Sequence, residues 1–293
     1  MGELPDLKAG KDLVIEEFSR IAEELLERER ETPEELREKI EGRKWRFYRY
    51  GYKAGRILDL GCGGGLDLLA LHEITGGKAE LYGVDMTDKV LELAEERFGR
   101  LGVEGVHLLK GDISSLPFPD GSFDMVTVAW VLHHVDGEEL DRILDEVRRV
   151  LRPGGIFLML EPCSLPFTEG QWLWMELMRL QSDIELLAGR DFPRIHLTPQ
   201  FIKEYLSSKG LKLEALDVLT PYVGGFPMKA EFFEEELRKI REELSKLPTE
   251  LRGHFQKKLD FTLRKVGMIG VEKGSTLIAK ASLPGAAAEG GER

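Results

Sequence analysis

Asparagine is absent from the 293 residues, glutamine is confined to Gln171, Gln181, Gln200 and Gln256, and the only cysteines are Cys62 and Cys163. With a charged fraction of 32%, the shortage of amides points to a hyperthermophilic source, because amides deamidate when hot and ion-pair networks gain relative value there. Two cysteines make no disulfide framework, and Cys62 lies inside a glycine run where a bridge would be awkward. No run approaches the ~20 apolar residues of a membrane span. The opening Met1-Gly2-Glu3-Leu4-Pro5-Asp6 lacks a secretory hydrophobic region and a myristoylation signal, so a cytoplasmic protein without stable membrane insertion is expected. Basic residues are in deficit. Lys plus Arg total 41 against 53 Asp plus Glu, a net charge of −12, which argues against general nucleic-acid affinity but leaves room for a local basic surface.

What is present is an alternation of short apolar strands and amphipathic helices. A charged helical pattern runs to about Glu41, with Thr32-Pro33 starting a second helix as N-cap and first residue. Strands are then expected at 56–60, 80–84, 106–110, 123–129 and 156–160, with helices at 66–74, 88–101 and 138–151 between them. Such alternation implies a parallel sheet covered on both faces. Later come a Trp- and Met-rich helix at 169–187, a helix opened by Thr198-Pro199, a strand near 213–219, a charged helical stretch from Ala230 to about Val266, and a last strand at 276–281. The expected organisation is an α/β, doubly wound, mostly parallel seven-stranded sheet over 56–283. A helical extension (1–55) precedes it, insertions fall at about 165–195 and 222–270, and 284–293 form a flexible tail.

The sharpest signal is Asp59-Leu60-Gly61-Cys62-Gly63-Gly64-Gly65, an apolar strand ending in a glycine turn that opens a helix, where a ligand can approach bare backbone. A dinucleotide site is the nearest competitor, but Leu66 stands where its third glycine would fall. Asp85 ends the second strand, placed to accept ribose hydroxyls, and Gly111-Asp112-Ile113 follows the third. The segment Asp-Leu-Gly-Cys-Gly-x-Gly resembles motif I of class I, Rossmann-like S-adenosylmethionine-dependent methyltransferases, especially the broad group that includes quinone-biosynthesis enzymes. Gly111-Asp112-Ile113, Leu116 to Asp124 and Leu151-Arg152-Pro153-Gly154-Gly155 resemble the same family. The resemblance implies S-adenosylmethionine as cofactor, bound by Asp59, Gly61, Gly63, Asp85, Met86, Asp112, Ile113 and Ala129, with Asp112 accepting the adenine amino group.

Acceptor groups should gather beyond strands four and five. His133 and His134 are candidate general bases, Glu161 could accept an amine proton, and Cys163 could be a nucleophile of the kind used by RNA cytosine-C5 methyltransferases, although their fuller cysteine motifs are missing. These residues have no recognised metal-ligand spacing, so no metal is expected. Two segments disagree about the acceptor. Cations and aromatics alternate from Arg43 to Lys53, so Lys44, Arg46 and Arg49 could meet phosphates while Trp45, with Trp130, stacks on bases. That reading favours a nucleobase in structured RNA, rRNA or tRNA, with an amino group of cytidine as one target. Alternatively, Trp45, Phe47 and Tyr50 pack over the cofactor as a lid. The apolar run Gln171 to Leu180 could instead wall a pocket for a hydrophobic small molecule, a quinone precursor or lipid. An inactive methyltransferase-like binding protein is the third possibility.

Overall fold

Seven strands join in one sheet of order β3-β2-β1-β4-β5-β7-β6, seen in a computed structural model that describes residues 10–27, 31–188, 197–219 and 230–285. The expected flexible tail, apart from residues 284 and 285, lies outside the described residues, as do residues 1–9 and parts of both expected insertions. The strands are β1 (Arg56–Leu60), β2 (Glu80–Asp85), β3 (Val106–Lys110), β4 (Phe123–Ala129), β5 (Leu151–Pro162), β6 (Lys212–Leu219) and β7 (Thr276–Ser282). The first five are mutually parallel, and β7 inserts antiparallel between β5 and β6. Central strands are apolar along their length, as burial on both faces requires: Leu58, Leu60, Val126 and Val128 are inaccessible on one side, Ile57 and Met125 on the other.

The helices are α1 (Gly10–Glu27), α2 (Pro33–Tyr50), α3 (Leu66–Thr75), α4 (Asp88–Leu101), α5 (Gly137–Val150), α6 (Glu169–Leu187), α7 (Pro199–Ser208), α8 (Ala230–Lys246) and α9 (Thr249–Ile269). Thr32 and Glu35 form a capping box at the start of α2, which satisfies two otherwise orphaned backbone donors. The helix runs on to Tyr50, well past the charged pattern ending near Glu41. Leu36, Ile40, Phe47 and Tyr50 form its buried stripe, a period that the intervening cations obscure.

Strand β5 begins at Leu151 rather than Ile156, because buried Leu151 pairs with Phe123 across a bulge while Arg152 holds Asp124 at 2.9 Å. The charged stretch after residue 230 is two helices. With α6 they enclose a separate apolar cluster that includes Leu177, Ile184, Ile240, Leu244 and Leu259. The beginning of α6 meets the end of α9 through Thr168 Oγ1 donating to Glu272 (2.8 Å). No helix among the described residues is long and apolar enough to cross a membrane.

Candidate functional site

The strand order reverses between β1 and β4, the position where doubly wound sheets form a crevice at their carboxyl ends. A cavity of about 560 Å³ opens there, and the glycine loop after β1 forms one wall. Gly61 and Cys62 donate backbone hydrogen bonds to the Val84 carbonyl (2.8 and 3.1 Å), and Gly63 adopts φ 49°, a conformation that favours glycine. A Cβ on Gly61 would sit 2.4 Å from Val131 Cγ2, whereas one on Gly63 would meet nothing within 4 Å. Gly63 therefore offers bare backbone to the cavity. Behind the loop, buried Arg97 donates to the Gly64 carbonyl (2.8 Å) and forks onto Glu31 (2.9 and 2.8 Å), tying the loop to the chain that precedes α2.

Asp85 closes β2 with its carboxylate over the loop, where Oδ2 accepts from the Gly63 N–H and Oδ1 from the Thr87 N–H, both at 3.0 Å. Burial raises its carboxyl above the ordinary value, against the pull of those donors. Asp59 is pushed up further, by burial first and by the neighbouring Asp67 carboxylate second. Gly61, Asp59, Met86, Ile113 and Ala129 also line the cavity. Asp112 does not. Lys11 of α1 donates to its Oδ2 at 2.6 Å, and the Ser114 N–H and hydroxyl donate to Oδ1 at 2.8 and 2.7 Å. Although its partial burial acts the other way, hydrogen bonds from Lys11 and Ser114 hold the Asp112 carboxyl below its ordinary value. Lys11 also pairs with Glu139 (2.7 Å), so it bridges the third-strand loop to α5 along one edge of the cavity.

The cations expected to meet phosphate are committed to carboxylates. Arg46 is only 5% exposed and pairs with Asp67, which Arg43 also reaches at 3.0 Å. Lys44 pairs with Glu41 and Glu73, and Arg49 with Asp217 at 3.3 Å. Trp45 stands half-exposed at the cavity, while Phe47 and Tyr50 point into the core beneath it. Of the three aromatics expected to form a lid, only Trp45 reaches the cavity, and the segment is not an open basic face. Arg46 Nε is buried without a hydrogen-bond acceptor, and Arg46 lines the cavity. Together with the acid at Asp85 and the open backbone of Gly63, this donor set fits a ligand that carries ribose hydroxyls and a carboxylate, as S-adenosylmethionine does.

On the opposite wall, Trp130 has φ 60°, the one positive value at a non-glycine position among the described residues. Such backbone strain clusters at ligand sites. The strain turns Trp130 toward the cavity beside Val131 and His134. His134 meets Phe18 of α1 edge-on at 5.7 Å and the His133 ring at 3.9 Å.

Three residues expected beside the acceptor are set back from the cavity. Glu161 is fully buried; its Oε1 accepts from the N–H groups of Val131 (3.0 Å) and Leu132 (2.9 Å), and its Oε2 faces His133 Nδ1 at 2.8 Å. It holds the single 3₁₀ turn Leu132–His134 in place instead of reaching a substrate. His133 stands behind His134. Cys163 packs into the main core, 4% exposed, where burial raises its thiol; a nucleophile needs the opposite, an accessible thiolate. Cys163→Ser is therefore expected to keep most of its wild-type turnover in a labelled-methyl assay. Loss of turnover together with a trapped covalent acceptor complex would restore the nucleophile reading. Sequence reasoning missed Lys11, Phe18 and Arg97, which reach the site only through tertiary packing.

Known proteins bear on this geometry in two ways. A family model described as "Methyltransferase domain" matches residues 58–159. Over 109 residues the chain is 38% identical to the demethylmenaquinone methyltransferase of Geobacillus kaustophilus, covering 37% of this chain and 46% of that protein. The corresponding enzyme of Staphylococcus aureus is also 38% identical, over 37% of this chain and 44% of that protein. The match thus spans less than half the length of these relatives. Among solved structures, a SAM-dependent methyltransferase from Aquifex aeolicus superposes with TM-score 0.52 at 16% identity, over 90% of this chain and 98% of that one. A protein described as a sarcosine dimethylglycine methyltransferase from Galdieria sulphuraria gives TM-score 0.56 at 16% identity, over 85% and 86%. At these identities the superpositions speak for the fold alone. Glycine loop, sheet order and matched domain agree: residues 58–159 are similar to a methyltransferase domain, carried on a Rossmann-like fold.

Proposed function

We propose that the chain methylates a hydrophobic small molecule, with a quinone precursor as the favoured class. The observation that carries this reading is the character of the cavity opposite the glycine loop. Val14, Phe18, Trp45, Trp130, Val135 and Leu219 line it, so an acceptor there is met by apolar and aromatic side chains rather than by free cations. The relatives' names point the same way. An RNA acceptor, suggested by the alternation from Arg43 to Lys53, loses its basis because Lys44 and Arg49 already pair with Glu73 and Asp217 and Arg46 is buried at the cavity wall, out of reach of a surface phosphate. Engaging phosphate would mean breaking those pairs. Helix α6, expected to wall the acceptor pocket, contributes none of the described residues around the cavity.

In this reading Asp85 accepts the ribose hydroxyls, Gly61 and Gly63 present backbone to the cofactor, and Arg46 meets its carboxylate. Bound S-adenosylmethionine supplies an electrophilic methyl group. The protein mainly aligns the acceptor for in-line displacement. Trp130, Phe18 and Trp45 clamp a flat acceptor, and His134, at the cavity wall, is placed to take its proton. Glu161 fixes the His133 Nδ1–H, and the His133 ring in turn supports His134. The test is methyl transfer from labelled cofactor to a demethylated naphthoquinol and, in parallel, to total RNA. Label is expected in the quinol product, with little sensitivity to salt; label in RNA alone, falling as salt rises through counterion release, would overturn the proposal.

A further inference from the structure

The helical insertion formed by α6, α8 and α9 carries an unusual surface. Helix α9 contains five cations (Arg252, Lys257, Lys258, Arg264, Lys265) against two acids (Glu250, Asp260), in a chain whose net charge is −12. One side of it, Phe255 and Leu259 with partly buried Leu263 and Val266, packs into the insertion's own core. The other side is apolar as well, yet faces solvent. Phe261, Met268 and Ile269 are 54%, 85% and 48% exposed, and Trp172 of α6 is 44% exposed beside them. The positions 261, 264, 265 and 268 lie on one helical stripe, and with Glu169, Trp172, Leu173 and Ile269 they surround a shallow cavity of about 470 Å³. Lys265 Nζ lies 4.8 Å from the Phe261 ring centre and 5.3 Å from that of Trp172. Just before α6, Leu165 and Phe167 are exposed too.

From this we infer that the α6–α9 face docks on an anionic lipid surface. The pattern is that of an interfacial helix: aromatic and aliphatic tips that enter the acyl boundary, with Lys and Arg stems lying along them and their charges at headgroup level. The charge balance selects the occupant. A symmetric second copy would bring two cation-rich faces together, with Glu169 the one acid among the described residues around the cavity, whereas anionic headgroups complement the surplus of cations. The inference holds whichever acceptor the methyltransferase cavity takes.

Co-sedimentation of the full chain with phosphatidylcholine vesicles, with and without phosphatidylglycerol, tests it. Binding is expected chiefly to the anionic vesicles and should fall with added salt. Arg264→Ala and Lys257→Ala should each weaken it about 5-fold. Met268→Glu combined with Ile269→Glu should abolish it, with the Tm of these exposed-site variants unchanged. Three outcomes would overturn the inference: no sedimentation with anionic vesicles, sedimentation untouched by the double substitution, or a dimer in sedimentation velocity that the double substitution dissolves while vesicle binding is nil.

Discussion

Asp85→Ala is expected to weaken S-adenosylhomocysteine binding by about 1–3 kcal/mol, roughly 5- to 150-fold, because it removes a charged acceptor. Two losses combine. The ribose hydroxyls lose their acceptor, and the Gly63 and Thr87 N–H groups, both now bound to the carboxylate at 3.0 Å, lose the partner that shapes the glycine loop. Asp85→Asn separates them, since an amide oxygen still accepts from one backbone donor while the amide nitrogen turns a second donor toward the other. It should fall between wild type and alanine. Calorimetry would check the series, and an unchanged affinity in Asp85→Ala would remove Asp85 from the cofactor site.

Glu161→Ala should produce the largest loss of stability of any single substitution at the site. The carboxylate is buried and receives the Val131 and Leu132 N–H groups as well as facing His133. Its removal leaves two backbone donors without partners, at about 1–3 kcal/mol each, with a fall in Tm of roughly 2–4 °C per kcal/mol. Glu161→Gln is the informative companion. It keeps an oxygen for the backbone donors but turns an amide N–H toward His133 Nδ1, favouring the other imidazole tautomer. If Glu161 acts only as a structural strut, Glu161→Gln will melt near wild type and turn over normally. If it positions the histidine pair for proton removal, turnover will fall and the pH profile will shift while Tm holds.

The wall of the cavity formed by the glycine loop and Asp85 was readable in the sequence because its geometry is local. Asp59, Gly61, Gly63 and Asp85 each sit at the end of a strand whose apolar run is short and continuous, so strand ends and the turn after them coincide with the motif residues. Asp112 shows the boundary of such reading. Its position after β3 follows from the pattern, but its salt bridge to Lys11 joins residues 101 apart in sequence and no local signal announces it. The segment Arg43 to Tyr50 was misleading for a related reason. Read linearly, cations and aromatics alternate; wound at 3.6 residues per turn, Arg46, Phe47 and Tyr50 turn inward while Tyr48 and Arg49 face solvent. A buried arginine facing Asp67 then has the composition of an RNA contact and the position of a cavity wall. Period-two alternation sorted β5 in the same manner, with Leu160 toward the cavity and Glu161 away from it.

Isothermal titration of the full chain with S-adenosylhomocysteine and, separately, with NAD tests the central claim most directly. The glycine loop, Asp85 and the Arg46 donor predict one-to-one binding of S-adenosylhomocysteine and no measurable heat with NAD. Saturable NAD binding, or the absence of S-adenosylhomocysteine binding by a folded chain, would contradict the account.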